Sequence, residues 1–300
     1  MAAMLTDATP IEDRQSRLLV SRLGFFDRVR LPLYRLRRAL AEPQRFSRLH
    51  YSSVLATLHA IGERDAPALL RDHLGVDDGT LRRIESDLTG DAAFLRHIEH
   101  RHREVRGRAV RLLGSWAAED RDPACRLLYY LARVLRPRVV VETGVFDGFS
   151  TAFLLKALRD NQRGKLCSID LPARSAVAGS TDKMAYDALP PGCDPGWVIP
   201  DDLRSRWTVR FGTSAELLPR WLEEIGPIDM FFHDSLHTRD NMAREFETAW
   251  RALSPGGVLV SDDVFWSRAF WTFTAAKGAR RIISKGVGIA RRLDRSRVAR

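Results

Sequence analysis

The sequence predicts an α/β fold whose mainly parallel, doubly wound sheet carries a helical extension at its N-terminal side. Three observations carry this. Five short β-branched or apolar runs between residues 138 and 263 are separated mostly by stretches of helical character, the signature of βαβ units. Two further runs, 279–284 and 287–293, are joined by Lys285 and Gly286 alone. So short a link permits a hairpin and not a crossover, so the sheet ends in an antiparallel edge. Before residue 120 the patterning is helical only.

The elements follow in order. In 91–116 the residues Phe94, Ile98, Val105, Ala109, Leu112 and Trp116 recur at helical spacing and form a core-facing stripe. His97, His100 and His102 share that helix without an i,i+4 pair and read as a solvated face. Strands are expected at 138–143, 165–170, 206–211, 228–234 and 257–263. Thr213 to Glu216 reads as a capping box opening a helix that Gly226 closes. Thr238 caps a second helix, with Met242, Phe246, Ala249, Trp250 and Leu253 on one face. "SPGG" (254–257) then returns the chain to the fifth strand. This divides the chain into a helical region 1–120, a sheet domain 121–294 and a basic tail 295–300.

Composition sets outer limits. With 300 residues, 45% of them hydrophobic, the chain can bury a large core. Three widely spaced cysteines suggest neither a disulfide framework nor a zinc ribbon. No signal-like start or membrane span is evident, so a cytoplasmic protein is expected. The net charge of +10 is concentrated in 14–40 and 277–300. No nucleic-acid motif accompanies it, so nucleic acid is not an expected partner, whereas weak contact with an anionic membrane is compatible with it. The N-terminal helices offer a lid or a homo-oligomer interface.

The chemistry is concentrated where strands end. "VVVETGVFDGFST" (139–151) leaves the first strand through Gly144 and Gly148, and a helix begins at Ser150 or Thr151. Ligands in open α/β sheets bind beyond such exits. A dinucleotide site prefers G-x-G-x-x-G with a pyrophosphate on the helix N-terminus. Here Val145, Phe146 and Asp147 separate the glycines, and Glu142 stands beside them, which suits a cationic ligand without phosphate. Asp170 ends the second strand, where a carboxylate can accept from two ribose hydroxyls. Positive charge on a phosphate-free nucleoside describes S-adenosylmethionine. Read as a ligand contact, Asp170 has no packing role.

These segments, with "SIDLP", "FGTSAELLP", "IDMFFHDSLHT" and "LSPGGVLVSDDVFW", resemble class I S-adenosylmethionine-dependent methyltransferases over roughly residues 122–293. The resemblance is to the bacterial group of catechol-type and macrolide-sugar O-methyltransferases. It implies a Rossmann-like seven-stranded sheet of order 3-2-1-4-5-7-6. It implies a cofactor site of Glu142, Gly144, Gly148, Ser150, Asp170, Leu171, Ser214 and Asp234, with Glu142 and Gly144 toward the methionine part and Ser214 toward adenine. It also implies that Asp234, Asp262 and Asp263 hold Mg²⁺ or a similar cation, although Asp263 stands where catechol-type enzymes have asparagine. His237 stands where those enzymes have lysine, and becomes the base, with Asp234 beside it. His233, inside the strand, reads as structural. The expected acceptor is a hydroxyl on a small molecule, sugar or natural product. Alternatives are a metal-independent enzyme acting on nitrogen and a non-catalytic basic protein at membranes. The Pro- and Gly-rich connection 171–205 reads as a lid.

Overall fold

The computed structural model describes residues 66–113, 122–172, 189–284 and 286–293. The basic N-terminal stretch, the tail after residue 293, Ala109 to Trp116 as side chains and the middle of the 171–205 connection lie outside that description. The chain divides into two compact units between Ile61 and Gly62, and the second holds everything described here. No helix among the described residues is long and apolar enough to cross a membrane.

Among the described residues, four helices precede the sheet: α1 (Ala66–Leu74), α2 (Asp78–Gly90), α3 (Ala92–Leu113) and α4 (Asp122–Leu135). The stripe expected on α3 is seen in Phe94, Ile98 and Val105, all buried. Then β1 (Val139–Thr143), α5 (Phe149–Asp160), β2 (Lys165–Asp170), β3 (Trp207–Phe211), α6 (Ser214–Ile225), β4 (Ile228–His233), α7 (Arg239–Ala252) and β5 (Leu253–Ser261) alternate. Finally α8 (Ala269–Ala276) leads to the hairpin β6 (Arg281–Ser284) and β7 (Val287–Arg291). The sheet order is β3-β2-β1-β4-β5-β7-β6. β1 to β5 are parallel, and β7 runs antiparallel to both β5 and β6.

Alternation along the strands decides which residues meet which helices. Val140, Leu166, Met230, Phe232, Val258, Val260 and Ile289 join α1 to α5 in one core. Their neighbours Val141, Cys167, Phe231 and Leu259 are buried on the opposite side, where α6, α7 and α8 supply Trp221, Met242, Phe246 and Phe270. α5 is buried almost all round, from Phe149 to Leu158, because α4 covers it from outside the sheet. Lys156, 2% exposed, is tolerated there because Asp160 lies 2.6 Å and Asp91 3.3 Å from its ammonium.

Two local details differ from expectation. "SPGG" is not a connection but the start of β5: Ile228 pairs with Leu253 and Met230 with Val258, so four residues bulge out opposite one. Pro255 is tolerated because a bulge asks no ladder donor of it. At α6 the Thr213 hydroxyl donates to the Glu216 side chain at 2.8 Å and makes no backbone cap. Thr238 does cap α7, accepting from the Asn241 amide.

Candidate active site

The parallel ladder continues one residue beyond each strand and aligns the exits of the sheet. The amides of Gly144, Asp234, Asp262 and Gly212 donate to the carbonyls of Ile169, Thr143, His233 and Asp170, all within 2.8–2.9 Å. The loop 144–148 and the ends of β2, β4 and β5 therefore form one edge. Gly144 is required there by the protein itself: at φ +87° a Cβ would stand 2.1 Å from the Asp234 carbonyl oxygen. At Gly148, also at φ +87°, a Cβ would stand 2.7 Å from Gly196 Cα. Both glycines thus permit backbone to meet backbone, a role the ligand-centred reading of the motif did not contain.

Three carboxylates organise the loop. Asp170, 5% exposed, accepts from the amides of Val145 (2.9 Å), Phe146 (2.7 Å) and Leu171 (2.7 Å). It is therefore a structural anchor of the loop, and the expectation that it lacks a packing role is corrected. Asp147, 1% exposed, accepts from the Phe149 amide at 3.1 Å and so fills the N-terminus of α5 with negative charge. A pyrophosphate cannot share that position, which extends the case against a dinucleotide. Glu142 lies wholly buried on the α5 side of β1. It accepts from Thr151 (3.0 Å) and Ser168 (2.7 Å), and Trp207 in turn donates to Ser168 at 2.9 Å. Burial pushes the Glu142 carboxyl up to about 8, against the pull of its two hydroxyl donors.

Beyond β4, His237 Nε2 lies 3.8 Å from Asp234 Oδ1, with the two side chains 16% and 22% exposed. The His237 ring leans on Trp266 and meets His233 edge-on, centroids 6.1 and 5.1 Å away. The sequence expectation for His233 lacked its partner. Fully buried, His233 shares a 2.7 Å hydrogen bond with Glu245 of α7. Glu245 also accepts from Thr143 (2.6 Å), Ser235 (2.8 Å) and Asn241 (3.0 Å). Burial alone would raise this carboxyl; the adjacent imidazole and the donated hydrogen bonds outweigh it and hold the group at about 2. One signal could have revealed it: Glu245 falls among Met242, Phe246 and Ala249 on the apolar face of α7.

Other expected residues are distributed more loosely. Ser150 lies in the first turn of α5, Leu171 follows Asp170, and half-buried Ser214 opens α6 after β3. Asp262 and Asp263 follow β5, and Asp263 turns the chain at φ +49° with its carbonyl accepting from the Trp266 amide. Among the described residues no group of three or more His, Cys, Asp or Glu side chains is placed to hold a metal ion. Asp234 follows β4, and Asp262 and Asp263 follow the adjacent β5. His102, read from sequence as solvated, instead places Nδ1 2.7 Å from Asp147 Oδ2.

Residues 141–264 match the family model for a methyltransferase domain. A catechol O-methyltransferase from Niastella koreensis is 28% identical over 162 residues, which are 52% of this chain and 64% of that relative. Among solved structures, an O-methyltransferase of tomaymycin synthesis from Streptomyces achromogenes, in complex with S-adenosylmethionine, is 19% identical and covers 64% of this chain and 90% of its own, with a TM-score of 0.44. An O-methyltransferase from Bacillus cereus, in complex with S-adenosylhomocysteine, is 18% identical and covers 76% and 96%, with a TM-score of 0.43. The match spans β1 to β5, so the part of the chain that holds the glycine loop and the central strands is similar to methyltransferase domains.

Proposed function

We propose that the protein transfers the methyl group of S-adenosylmethionine to a hydroxyl oxygen of a small-molecule acceptor. The observation that carries this is the aligned edge itself. A carboxylate-bearing loop and the Asp170 carboxylate stand at β1 and β2, and an imidazole–carboxylate pair stands at the end of β4, the strand next to β1. The cofactor, when bound, supplies an electrophilic methyl on a sulfonium. The chain's residues supply the rest. In this reading Asp170 and Leu171 take the ribose, Ser214 the adenine, and Gly144, Gly148 and Ser150 line the methionine side of the loop. His237 takes the proton of the acceptor hydroxyl while Asp234 orients its ring, and the oxygen then displaces the sulfonium methyl in line. An imidazole is a suitable base near neutral pH. The choice of oxygen is supported by the catechol O-methyltransferase relative. Were a divalent cation to take part, Asp234, Asp262 and Asp263 at the ends of β4 and β5 would hold it, and its charge would make the acceptor hydroxyl more acidic.

Thermal shift with S-adenosylhomocysteine tests the cofactor half: at 100 times the dissociation constant, binding adds about 2.7 kcal/mol. NAD should add nothing. Methyl-labelled cofactor offered to a host extract tests the acceptor half, and label on amines alone would sink the oxygen assignment. His237→Ala should keep cofactor affinity and lose about 10²- to 10⁴-fold in turnover, with higher pH restoring part of it. Full activity in that variant would remove His237 from the chemistry. Chelator tests the three aspartates: a loss of turnover restored by Mg²⁺ would make them ligands, and unchanged turnover would remove them from that role.

A further inference from the structure

The geometry points to α3 as a clasp that shapes the cofactor loop, with His102 and Arg101 as positioning residues for cofactor binding. This deepens the methyl-donor reading above and rests on it. The loop 144–148 must hold two left-handed glycines and a left-handed Phe146 (φ +51°), a shape that costs free energy unless its surroundings enforce it. Enforcement comes from three directions. From the sheet, Asp170 accepts from the Val145 and Phe146 amides. From the connection before β3, the amides of Gly196 and Val198 donate to the carbonyls of Phe146 and Asp147 at 2.9 and 2.8 Å.

The third direction is α3, far away in sequence. His102 donates to Asp147 Oδ2 at 2.7 Å, and its ring stacks on Phe149 with centroids 4.1 Å apart. Next to it, the Arg101 guanidinium lies 3.9 Å over the Trp197 ring and donates to the Trp197 carbonyl at 3.0 Å. Consecutive residues of one helix thus fasten the loop and the segment that supports the loop. A solvated histidine and arginine would make neither contact. Asp147 needs this partner: at 1% exposure, its Oδ1 is bonded to the Phe149 amide and its Oδ2 to His102. Without the imidazole, that oxygen must find water or turn outward. Turning outward would release the end of α5 and relax Phe146 toward ordinary backbone angles. Cofactor affinity then falls by the fraction of molecules whose loop leaves the receptive shape. The helical region is, on this account, part of the cofactor site without touching the cofactor.

The experiment compares wild type with His102→Ala, His102→Asn and Arg101→Ala. S-adenosylhomocysteine affinity is measured by calorimetry, and amide exchange at 144–148 is measured in cofactor-free protein. Asparagine places an N–H near the position of the imidazole Nδ1 and serves as the rescue. We expect His102→Ala to weaken binding about tenfold, equivalent to about 1.4 kcal/mol, and to speed loop exchange, with Asn reversing most of both. Arg101→Ala should do the same more weakly. Unchanged affinity in His102→Ala overturns the inference, whether or not exchange speeds up. A wild-type protein that binds no S-adenosylhomocysteine sinks the methyl-donor reading itself and the positioning role with it.

Discussion

At the scale of single residues, buried carboxylates separate what anchors from what reacts. Asp170 is an anchor that the proposed function also places against the cofactor. Removing its carboxylate leaves three backbone N–H groups without their acceptor, and an unpaired buried donor costs about 1–3 kcal/mol. Asp170→Ala should therefore abolish cofactor binding and also lower the melting temperature of cofactor-free protein, by roughly 6–12 °C for a loss of about 3 kcal/mol. An unchanged melting curve would mean that water replaces the carboxylate without cost. Glu142 and Glu245 set opposite pH dependences. Glu245, held at about 2 against 4.5 unfolded, contributes stability that is present above pH 4.5 and lost as pH falls toward 2. Glu142, raised to about 8, favours the folded state below pH 4.5 and loses that contribution as pH rises through 8. Denaturant midpoints should consequently decline from pH 5 to pH 8. Glu142→Gln should flatten the decline and gain stability at pH 9, with an upper bound of about 5 kcal/mol. A wild-type midpoint that does not move across this range would show Glu142 titrating as an ordinary carboxyl.

At the scale of elements, the two glycines of the loop are fitting points between segments. Gly148→Ala combines a left-handed backbone with a Cβ inside the Gly196 backbone, so a loss of roughly 3 kcal/mol is expected. The loss should appear with weakened S-adenosylhomocysteine binding, because the loop must shift. Retained affinity in a correctly folded variant would place the cofactor elsewhere. This scale also shows what the sequence made legible. The strands were readable because a period of two and a β-branched composition are local signals, and Thr238 and Gly226 marked helix ends through local chemistry. The β5 bulge was not, because Ser254 to Gly257 look like a turn unless β4 is known to lie alongside. In the candidate site, the strand-end aspartates and His237 stood out by position, and the structure sets His237 beside Asp234. The pairs Thr143–Glu245 and His102–Asp147 join residues 102 and 45 positions apart. No spacing rule connects them, and only the packing of α7 and α3 brings them together.

At the scale of the whole molecule, the sheet order has a consequence for how the chain comes into being. β1 is central and pairs on one side with β2, which follows closely, and on the other with β4, whose residues 228–233 are made much later. On a translating ribosome, the half-sheet β3-β2-β1 can form while Val139–Thr143 still presents an open, apolar edge. At ~5–20 residues per second, the roughly sixty residues between β2 and the end of β4 keep that edge bare for about 3–12 s. Open edges of this kind recruit other strands. A chain ending at residue 212 should accordingly self-associate, while one reaching β7 should remain dispersed. The architecture that places β1 at the centre of the finished sheet thus leaves one of its edges open to other strands during that interval.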